Sequence, residues 1–489
     1  MKKIVKIILF CIGFLILLDL LGKLLKPSCA KEVAIDNDHY SYEGIYDLPK
    51  GSLDVVFVGS SHAFCSISPE DIFSSYGITS YVLGSGNQRI WQSYFNLKDV
   101  FRIQSPKVVI VESLVAFEQA AQGEAYNREA IDRMKLSWPK IEAIKMAVAK
   151  NSEQEHFLSY IFPAIRYHDR WEMLEENDFS WFLNDSWSVT KGYLPRMTVT
   201  SAEFNISEYE KSNPVEMNST CREYLTKIKE LCDKNQAELI LTKFPTCLWN
   251  GAKALAMQQI ADEMGVIYLD FCADEILRRA VNIDWSRETL DNGNHLNYDG
   301  ALKVTDYMGK YLEKNYVFSD KRKNAQYDQW KKDYAYFKRS VDNYYISMAE
   351  TIDRLVEILG ENYSMAVSIG NIELDKVPKE DILALNHIGV QTDFVVETYN
   401  RNNFIVVSNG AIIAQRYSDE QIDWRGNVGG NYWRIESARN QSGNVFHCFI
   451  NEKERAEYND GINIIVWDDE IDQYVSSLNF VYEETDDSD

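Results

Sequence analysis

The feature that most constrains this chain is a short apolar segment that ends in a turn of very small residues. Val55 to Val58 form an unbroken apolar run, which is typical of a strand covered on both faces of a parallel sheet. Gly59, Ser60 and Ser61 follow at once and allow the backbone to turn sharply. Ligands bind at the carboxyl ends of strands in open α/β sheets, so the hydroxyl of Ser61 is a candidate nucleophile.

Strand-like and helix-like segments alternate after this turn, which predicts an α/β fold with a doubly wound parallel sheet. Further apolar runs typical of strands cover residues 78–83, 107–111, 237–244 and 266–271. Helical spacing of apolar residues covers 88–101, 220–236, 252–264 and 300–316.

An aromatic-rich stretch from about 114 to 216 interrupts this alternation. We interpret it as a helical insertion over the carboxyl edge of the sheet, where insertions commonly shape a substrate pocket. Aromatic packing of a long helical excursion, with no role in binding, explains the composition equally well.

The last third of the chain has a different character. Residues 318–359 are charged and aromatic without turn signals, which predicts a helical linker. From 360 onward, short apolar runs are separated by Asn-Gly, Gly-Gly and Asp-Gly turns, which predicts a β-rich accessory domain. The predicted domains are residues 1–30, 31–317 with the insertion, 318–359 and 360–489.

The N-terminus predicts attachment to a membrane. Lys2, Lys3 and Lys6 precede an apolar stretch that extends to Leu25. Its length approaches the ~20 residues that a spanning helix needs. We therefore favour an uncleaved single-pass anchor in the cell membrane, with the bulk of the chain extracytoplasmic. The alternative is a signal peptide cleaved at Ser28-Cys29-Ala30.

Charge and cysteine content exclude several classes of function. A net charge of −23 argues against nucleic acid and anionic lipid headgroups as main partners. None of the eight cysteines forms a CxxC pair, so zinc-binding and redox motifs are not indicated. We expect no metal and no cofactor. The sequence leaves open whether one or two disulfides form.

A second polar stretch supplies the partners that a serine nucleophile needs. Asp291-Asn-Gly-Asn-His295 lies immediately before the last predicted helix of the α/β unit. A histidine is suited to take the serine proton, and a carboxylate orients the imidazole and stabilises its charged form. We predict that Ser61, His295 and Asp291 form a catalytic triad. Taken singly, each stretch is equally compatible with an ordinary polar turn.

Together the two stretches resemble the first and last blocks of the SGNH/GDSL hydrolase family. Gly59-Ser60-Ser61 is similar to the first block, and His295-Leu-Asn with Gly300-Ala301 is similar to the last. The resemblance implies that Ser61 is the nucleophile and that Gly84, the best match to the second-block glycine, donates to the oxyanion.

This sequence departs from the family pattern in two places. The third-block Gly-x-Asn is absent near residues 111–113, so we expect Asn87 or Gln88 to replace its asparagine. Asp291 also precedes the histidine by four residues, where three is usual in the family. A one-residue difference in loop length is easily accommodated.

The anchored layout is similar to DltD, the alanylation protein of lipoteichoic acid, and to related cell-envelope acyltransferase-like proteins. This resemblance implies acyl transfer on a cell-envelope polysaccharide or teichoic-acid-like polymer, beside a membrane-bound O-acyltransferase. The acceptor is either a sugar hydroxyl, as in a transferase, or water, as in an esterase. The alternative is a non-catalytic glycopolymer-binding or scaffold protein that retains the fold.

The C-terminal segment, about 360–483, resembles the interleukin-like EMT inducer domain. The resemblance is carried by residues 404–413, 461–469 and 475–480. It implies a β-sandwich-like module that binds carbohydrate or protein. A stabilising appendage without a ligand is the alternative.

Four other residues draw attention near the predicted site or in the insertion. We interpret His62 as structural, because adjacent side chains at such a turn point apart, and Cys65 as a small buried residue. His168 is expected to be a core or rim histidine. Glu112, at a strand end, is a weaker candidate for touching the substrate.

Overall fold

The computed structural model describes residues 2–26, 35, 43–117, 123–151, 153–174, 178–179, 188–209, 213–370, 372, 374–398, 401–440, 443–458 and 460–482. The chain divides into two compact units, Met1–Phe337 and Lys338–Asp489. The candidate cleavage site at residues 28–30 lies outside the described residues.

The first unit is built on a five-stranded parallel sheet with the order β2-β1-β3-β4-β5. Its strands are β1 Val55–Gly59, β2 Ser80–Gly84, β3 Val108–Glu112, β4 Glu238–Lys243 and β5 Ile267–Asp270. Val56 and Val58 pack into one apolar core, whereas Val55 and Phe57 pack into another. The parallel pairing of all five strands confirms the predicted parallel α/β architecture, and the interior strand β1 is buried on both faces, as expected.

Helices flank this sheet and continue through the insertion. They are α1 Lys2–Leu25, α2 Ser61–Ser66, α3 Pro69–Tyr76, α4 Ile90–Val100, α5 Glu124–Ile131, α6 Trp138–Lys150, α7 Phe157–Ile161, α8 Pro163–Tyr167, α9 Ser219–Lys234, α10 Gly251–Met264, α11 Glu275–Val281 and α12 Tyr298–Asn315. The hairpin β6 Thr289–Leu290 and β7 His295–Leu296 precedes α12. The sequence pattern does not predict the short helices α2, α3 and α11.

The first helix of the insertion reaches the carboxyl edge of the sheet. Glu129 of α5 accepts a hydrogen bond from the backbone N–H of Gly86 at 3.0 Å, just beyond β2. The amide of Gln92 donates to Asn127 at 2.8 Å. This part of the insertion therefore packs beside the loop that follows β2.

The apolar helix α1 is long enough to span a membrane. Within residues 3–25, the 18-residue window that qualifies as a span has a mean hydropathy of 2.8 and is wholly unburied. At 1.5 Å per residue the helix is roughly 35 Å long, compared with a hydrocarbon core of about 30 Å. A signal sequence has the same properties.

The boundary between the units, at Phe337 and Lys338, falls within the helix α13 Asp328–Ser347. The next helix, α14 Ile352–Ile358, lies wholly in the second unit. The second unit then contains α15 Lys379–His387, α16 Thr392–Thr398 and the strands β8 Tyr363–Ile369, β9 Asn402–Ser408, β10 Ala411–Ser418, β11 Ile422–Val428, β12 Asn431–Asn440, β13 Gly443–Ile450, β14 Lys453–Tyr458, β15 Ile462–Asp468 and β16 Gln473–Phe480. The predicted β-rich character of this region is confirmed.

The strands of the second unit form two antiparallel sheets, β10-β9-β8-β15-β16 and β11-β12-β13-β14. One face of the five-stranded sheet shares an apolar core with the four-stranded sheet, in which Phe404 and Trp433 are wholly buried. Its other face shares a core with α14 to α16, through Leu355, Leu385 and Val395. The layers are therefore helix, sheet and sheet.

A buried charged cluster ties the end of the insertion to the sheet. Lys191 forms ion pairs with Glu70, at 3.1 Å, and with Asp333, and all three side chains are almost wholly buried. The backbone carbonyl of Lys191 accepts from the N–H of Val82 in β2. Burial raises the pKa of Glu70 to about 8, although the charge of Lys191 opposes that rise.

We expect Lys191→Met to destabilise the first unit by about 3–5 kcal/mol, because it leaves two buried carboxyl groups without their cation. The measurement is urea unfolding of the full chain, followed by hydrogen exchange in peptides of the first unit. Lys314→Met, on the exposed side of α12, is the matched control and should stay within about 0.5 kcal/mol of wild type. Equal stability of the two variants would contradict the role of the cluster.

Candidate active site

The nucleophile candidate lies at the junction of the interior strand β1 and a helix. β1 ends at Gly59, and Ser60 is the N-cap of α2, so that Ser61 is the first residue of that helix. A Cβ on Gly59 would lie 2.5 Å from the Cβ of Glu112, which explains why only glycine fits there. Ser61 is thereby held, partly exposed, at the carboxyl end of β1.

The base candidate lies at the end of a four-residue hairpin loop. Leu290 of β6 pairs with His295 of β7, and residues 291–294 connect them. Asp291, Asn292 and Gly293 all have left-handed backbone conformations, with φ of 52°, 55° and 80°. Asn, Asp and Gly are the residues that adopt this conformation most readily.

This left-handed turn accommodates the extra residue between the acid and the base. The loop folds back so that Asp291 Oδ2 lies 3.0 Å from His295 Nδ1, despite the four-residue spacing. The carbonyl of Gly293 accepts from the N–H of Cys247 at 2.8 Å, which fastens the loop to the segment after β4. The number of residues between Asp291 and His295 does not by itself reveal this turn of the backbone.

The structure brings the three predicted triad residues into one hydrogen-bonded chain. His295 Nε2 lies 2.7 Å from Ser61 Oγ, and His295 Nδ1 faces Asp291. With Nδ1–H donating to Asp291, Nε2 accepts the Ser61 proton, which is the tautomer that a general base requires. The His295 side chain is 14% exposed and that of Asp291 is 60% exposed, so solvent reaches the acid more than the base.

The surroundings of His295 favour its neutral form. Burial lowers the pKa of His295, while the hydrogen bond and charge of Asp291 oppose that effect. The charges of Arg196 and Lys243 lower the pKa of His295 further. The net effect is a pKa below the ordinary value near 6.5.

The predicted oxyanion donors differ in their availability. Gly84 pairs with Gly59 in the sheet, and a Cβ there would lie 3.2 Å from the carbonyl of Ser60, so its backbone runs beside the nucleophile turn. Asn87 is half-buried with φ of 51° in the loop that follows. The Gln88 amide donates to the carbonyl of Leu83 and to Ser93 Oγ, so both of its hydrogens are used within the protein.

A completely buried ion pair lies beneath the nucleophile turn. Glu112 ends β3 and Lys243 ends the adjacent strand β4, and their side chains meet at 2.6 Å without exposure to solvent. Glu112 also accepts from Ser60 Oγ at 2.9 Å and from the N–H of Leu114 at 2.8 Å. Glu112 is thus occupied by the protein and does not face a substrate.

The same ion pair continues to the loop of the base through His62. Lys243 Nζ lies 3.0 Å from His62 Nδ1, and His62 Nε2 lies 3.1 Å from Asn294 Oδ1. The rings of His62 and His295 have centroids 4.9 Å apart. Burial, and then the charges of Lys243 and His295, hold the pKa of His62 well below its ordinary value.

The remaining singled-out residues lie elsewhere or pack in the core. Cys65 is buried in an apolar core, as expected. His168 is not a core residue: its side chain is 69% exposed and lies 3.0 Å from Asp169. Sequence reasoning missed Lys243 and Asn294. A lone lysine at the end of a strand-like run is the only signal that Lys243 offers, and Asn294 reads as an ordinary loop residue.

Comparisons with known proteins add solved structures of low similarity. No family model and no curated protein matches the chain. An acylhydrolase from Bacteroides fragilis NCTC 9343 is 15% identical, with 55% of this chain and 92% of that chain covered and a TM-score of 0.25. A GDSL-like lipase from Bacteroides thetaiotaomicron VPI-5482 is 11% identical, with 54% and 88% covered and the same TM-score.

A gut microbial diltiazem-metabolizing enzyme is 10% identical, with 80% of this chain and 57% of that chain covered and a TM-score of 0.21. Scores this low carry no argument about the chemistry of this chain. The function must therefore be inferred from its own residues.

We expect the rate at which Ser61 reacts with a fluorophosphonate to rise with pH around a midpoint below about 6.5, because His295 must be neutral to accept the proton. Stopped labelling reactions between pH 4.5 and 8.5, quantified by intact mass, measure this midpoint. Asp291→Asn should move the midpoint further down, since Asp291 favours the protonated imidazole. A midpoint above 7 would contradict this description of the base.

Proposed function

We propose that the chain is a serine-dependent esterase or O-acyltransferase of the SGNH type. The observation that supports this proposal is the hydrogen-bonded chain Ser61, His295 and Asp291 at the carboxyl edge of a parallel sheet. The Gly59-Ser60-Ser61 turn and the hairpin loop supply its members from two distant parts of the sequence.

In the proposed reaction, Ser61 Oγ attacks the carbonyl carbon of an ester while His295 Nε2 takes the hydroxyl proton. The tetrahedral oxyanion is stabilised by backbone N–H groups of Ser61 and Gly84, each worth on the order of 3 kcal/mol. His295 then returns the proton to the departing alcohol, which leaves an acyl-Ser61 ester. A second alcohol or water, deprotonated by His295, attacks that ester and restores Ser61.

The proposed substrate is an ester on a cell-envelope polysaccharide or teichoic-acid-like polymer. Two features support it: the resemblance to anchored envelope acyltransferase-like proteins, and a helix able to hold the site close to a membrane. A membrane-bound O-acyltransferase is the proposed source of acyl groups. Of these two polymers, the net charge of −23 favours a neutral polysaccharide over a teichoic-acid-like polymer, whose phosphates are anionic.

We further propose that α1 is kept as an anchor in the cell membrane, with the rest of the chain extracytoplasmic. Contacts at its C-terminal end support this: the carbonyl of Leu25 accepts from the Arg170 guanidinium at 2.7 Å, and Gly22 packs against Pro163. Cleavage after α1 would remove the partner that these residues pack against. The β-rich second unit is proposed to bind carbohydrate or protein.

Reaction of the full chain in detergent with a fluorophosphonate probe tests the proposed nucleophile. Labelling should map to Ser61 and vanish in Ser61→Ala, because the activated oxygen is absent. His295→Gln should slow labelling by about 10²- to 10⁴-fold, the usual contribution of a general base. Asp291→Asn should slow it less, about 10- to 100-fold, since solvent screens the exposed carboxylate.

Ser75→Ala is the matched control, because Ser75 is exposed on α3 and takes no part in the site. It should label as fast as wild type. A folded wild-type chain that does not label would favour the non-catalytic scaffold. For a labelled chain, acetyl and alanyl esters with and without a sugar acceptor distinguish transfer from hydrolysis.

Retention of α1 predicts that the chain purified from membranes has the mass of the full sequence, near 56.5 kDa. It should also resist extraction by alkaline carbonate, as a spanning helix does. A mature form lacking the first 30 residues, released without detergent, would contradict the anchor.

A further inference from the structure

We propose that the Glu112–Lys243 ion pair is a positioning element for the reaction at Ser61, holding both neighbours of the nucleophile and, through His62 and Asn294, the loop of the base. This inference rests on the proposed function, since it assigns roles toward Ser61 and His295. Neither Glu112 nor Lys243 contacts the reacting atoms, so we regard both as positioning residues.

Both side chains of the ion pair are wholly buried. Two charged groups withdrawn from water are stabilised only when hydrogen bonds satisfy their remaining donors and acceptors. Glu112 has three such partners, which are Lys243, Ser60 and the N–H of Leu114. Lys243 has Glu112, His62 and the ring face of Trp249, 5.8 Å from the ammonium. The pair is therefore a fixed, bonded element of the sheet edge.

The residues on either side of the nucleophile both contact this ion pair. Ser60 donates to Glu112 Oε2 at 2.9 Å and also caps α2 by accepting from the N–H of His62. His62 in turn contacts Lys243 Nζ through its ring. The residue before Ser61 and the residue after it are thus bound to opposite members of one ion pair. Ser61 has little freedom to move relative to β3 and β4.

The contact with Lys243 determines the tautomer of His62. A lysine ammonium can only donate, so the His62 nitrogen that faces it, Nδ1, must accept. The ring proton therefore resides on Nε2, which donates to Asn294 Oδ1 at 3.1 Å. Protonated His62 would present a donor to Lys243 and break this arrangement. Lys243 thereby selects a neutral His62 that can hold Asn294.

Asn294 connects His62 to the loop that carries the base. Asn294 immediately precedes His295 in the hairpin loop, so its side-chain bond restrains the backbone that carries the imidazole. The charged and titratable groups that face His295 are Asp291 on its own loop, Arg196, Lys243 at the end of β4 and His62 on α2. Among them, Lys243 is wholly buried, so water does not screen its effect on the imidazole.

Substitutions of His62 test the positioning role, and a double substitution of the ion pair tests the electrostatic role. His62→Phe keeps the ring volume and leaves Lys243 paired with Glu112. It removes the hydrogen bonds of the His62 ring to Lys243 and to Asn294. We expect it to slow fluorophosphonate labelling of Ser61 on the order of 10- to 100-fold, as small misplacements do, with little change in the pH midpoint. His62→Asn, which can accept from Lys243 and donate to Asn294, should recover part of the rate.

The double variant Glu112→Gln with Lys243→Met removes both charges together, so that no buried charge is left unpaired. We expect its pH midpoint to rise, because a cation that disfavours protonated His295 is gone. A uniform loss of rate with an unchanged midpoint would overturn the electrostatic role. A His62→Phe variant that labels at the wild-type rate would overturn the positioning role.

The tautomer is tested without any activity, which keeps the inference separate from the proposed function. Long-range ¹H–¹⁵N spectra of the full chain with ¹⁵N-labelled histidine report the protonation state and the tautomer of each imidazole ring. The variants His62→Phe and His295→Gln assign the signals. His62 should stay neutral with its proton on Nε2 from pH 5 to 8. Titration in that range, or a proton on Nδ1, would overturn the inference even if Ser61 labels. No labelling with the expected tautomer would instead reject the catalytic proposal and retain the network.

Discussion

The buried ion pair between Glu112 and Lys243 is the constraint to which the arrangement of the site can be traced. Because the pair has no contact with water, each of its polar atoms must find a protein partner. Those partners are Ser60, His62 and the backbone after β3, all adjacent to the nucleophile turn. The buried charges thus contact the residues on both sides of Ser61, in addition to the helix cap at Ser60 and the close packing of Gly59 against Glu112.

The parallel sheet brings the ion pair and the nucleophile turn together at one edge. Its strands end at one edge, so residues far apart in sequence meet there without long connections. Glu112 and Lys243 come from adjacent strands, and the nucleophile turn follows the strand between β2 and β3. The base loop joins them because a short hairpin before α12 places His295 over the same edge. The ion pair, the nucleophile turn and the base loop thus meet through ordinary α/β geometry.

Much of this architecture was predictable, because buried parallel strands are continuous apolar runs and the long helices have clear spacing. The turn at Ser61 and the loop at His295 were recognisable by composition and by their places in the alternation. The short helices α3 and α11 were missed, since eight and seven residues carry too few turns for a periodic signal. Lys243 was missed because nothing local shows that a lysine at a strand end turns inward to meet Glu112.

Asp291 and Lys243, two of the charges around His295, differ in exposure and therefore respond differently to ionic strength. Dissolved salt screens the solvent-facing carboxylate of Asp291 but does not reach the sealed ammonium of Lys243. Asp291 favours the imidazolium and Lys243 disfavours it, so of these two influences added salt weakens only that of Asp291. Within this geometry, a salty medium shifts the imidazole toward its neutral form, which makes the base available over a wider acidic range.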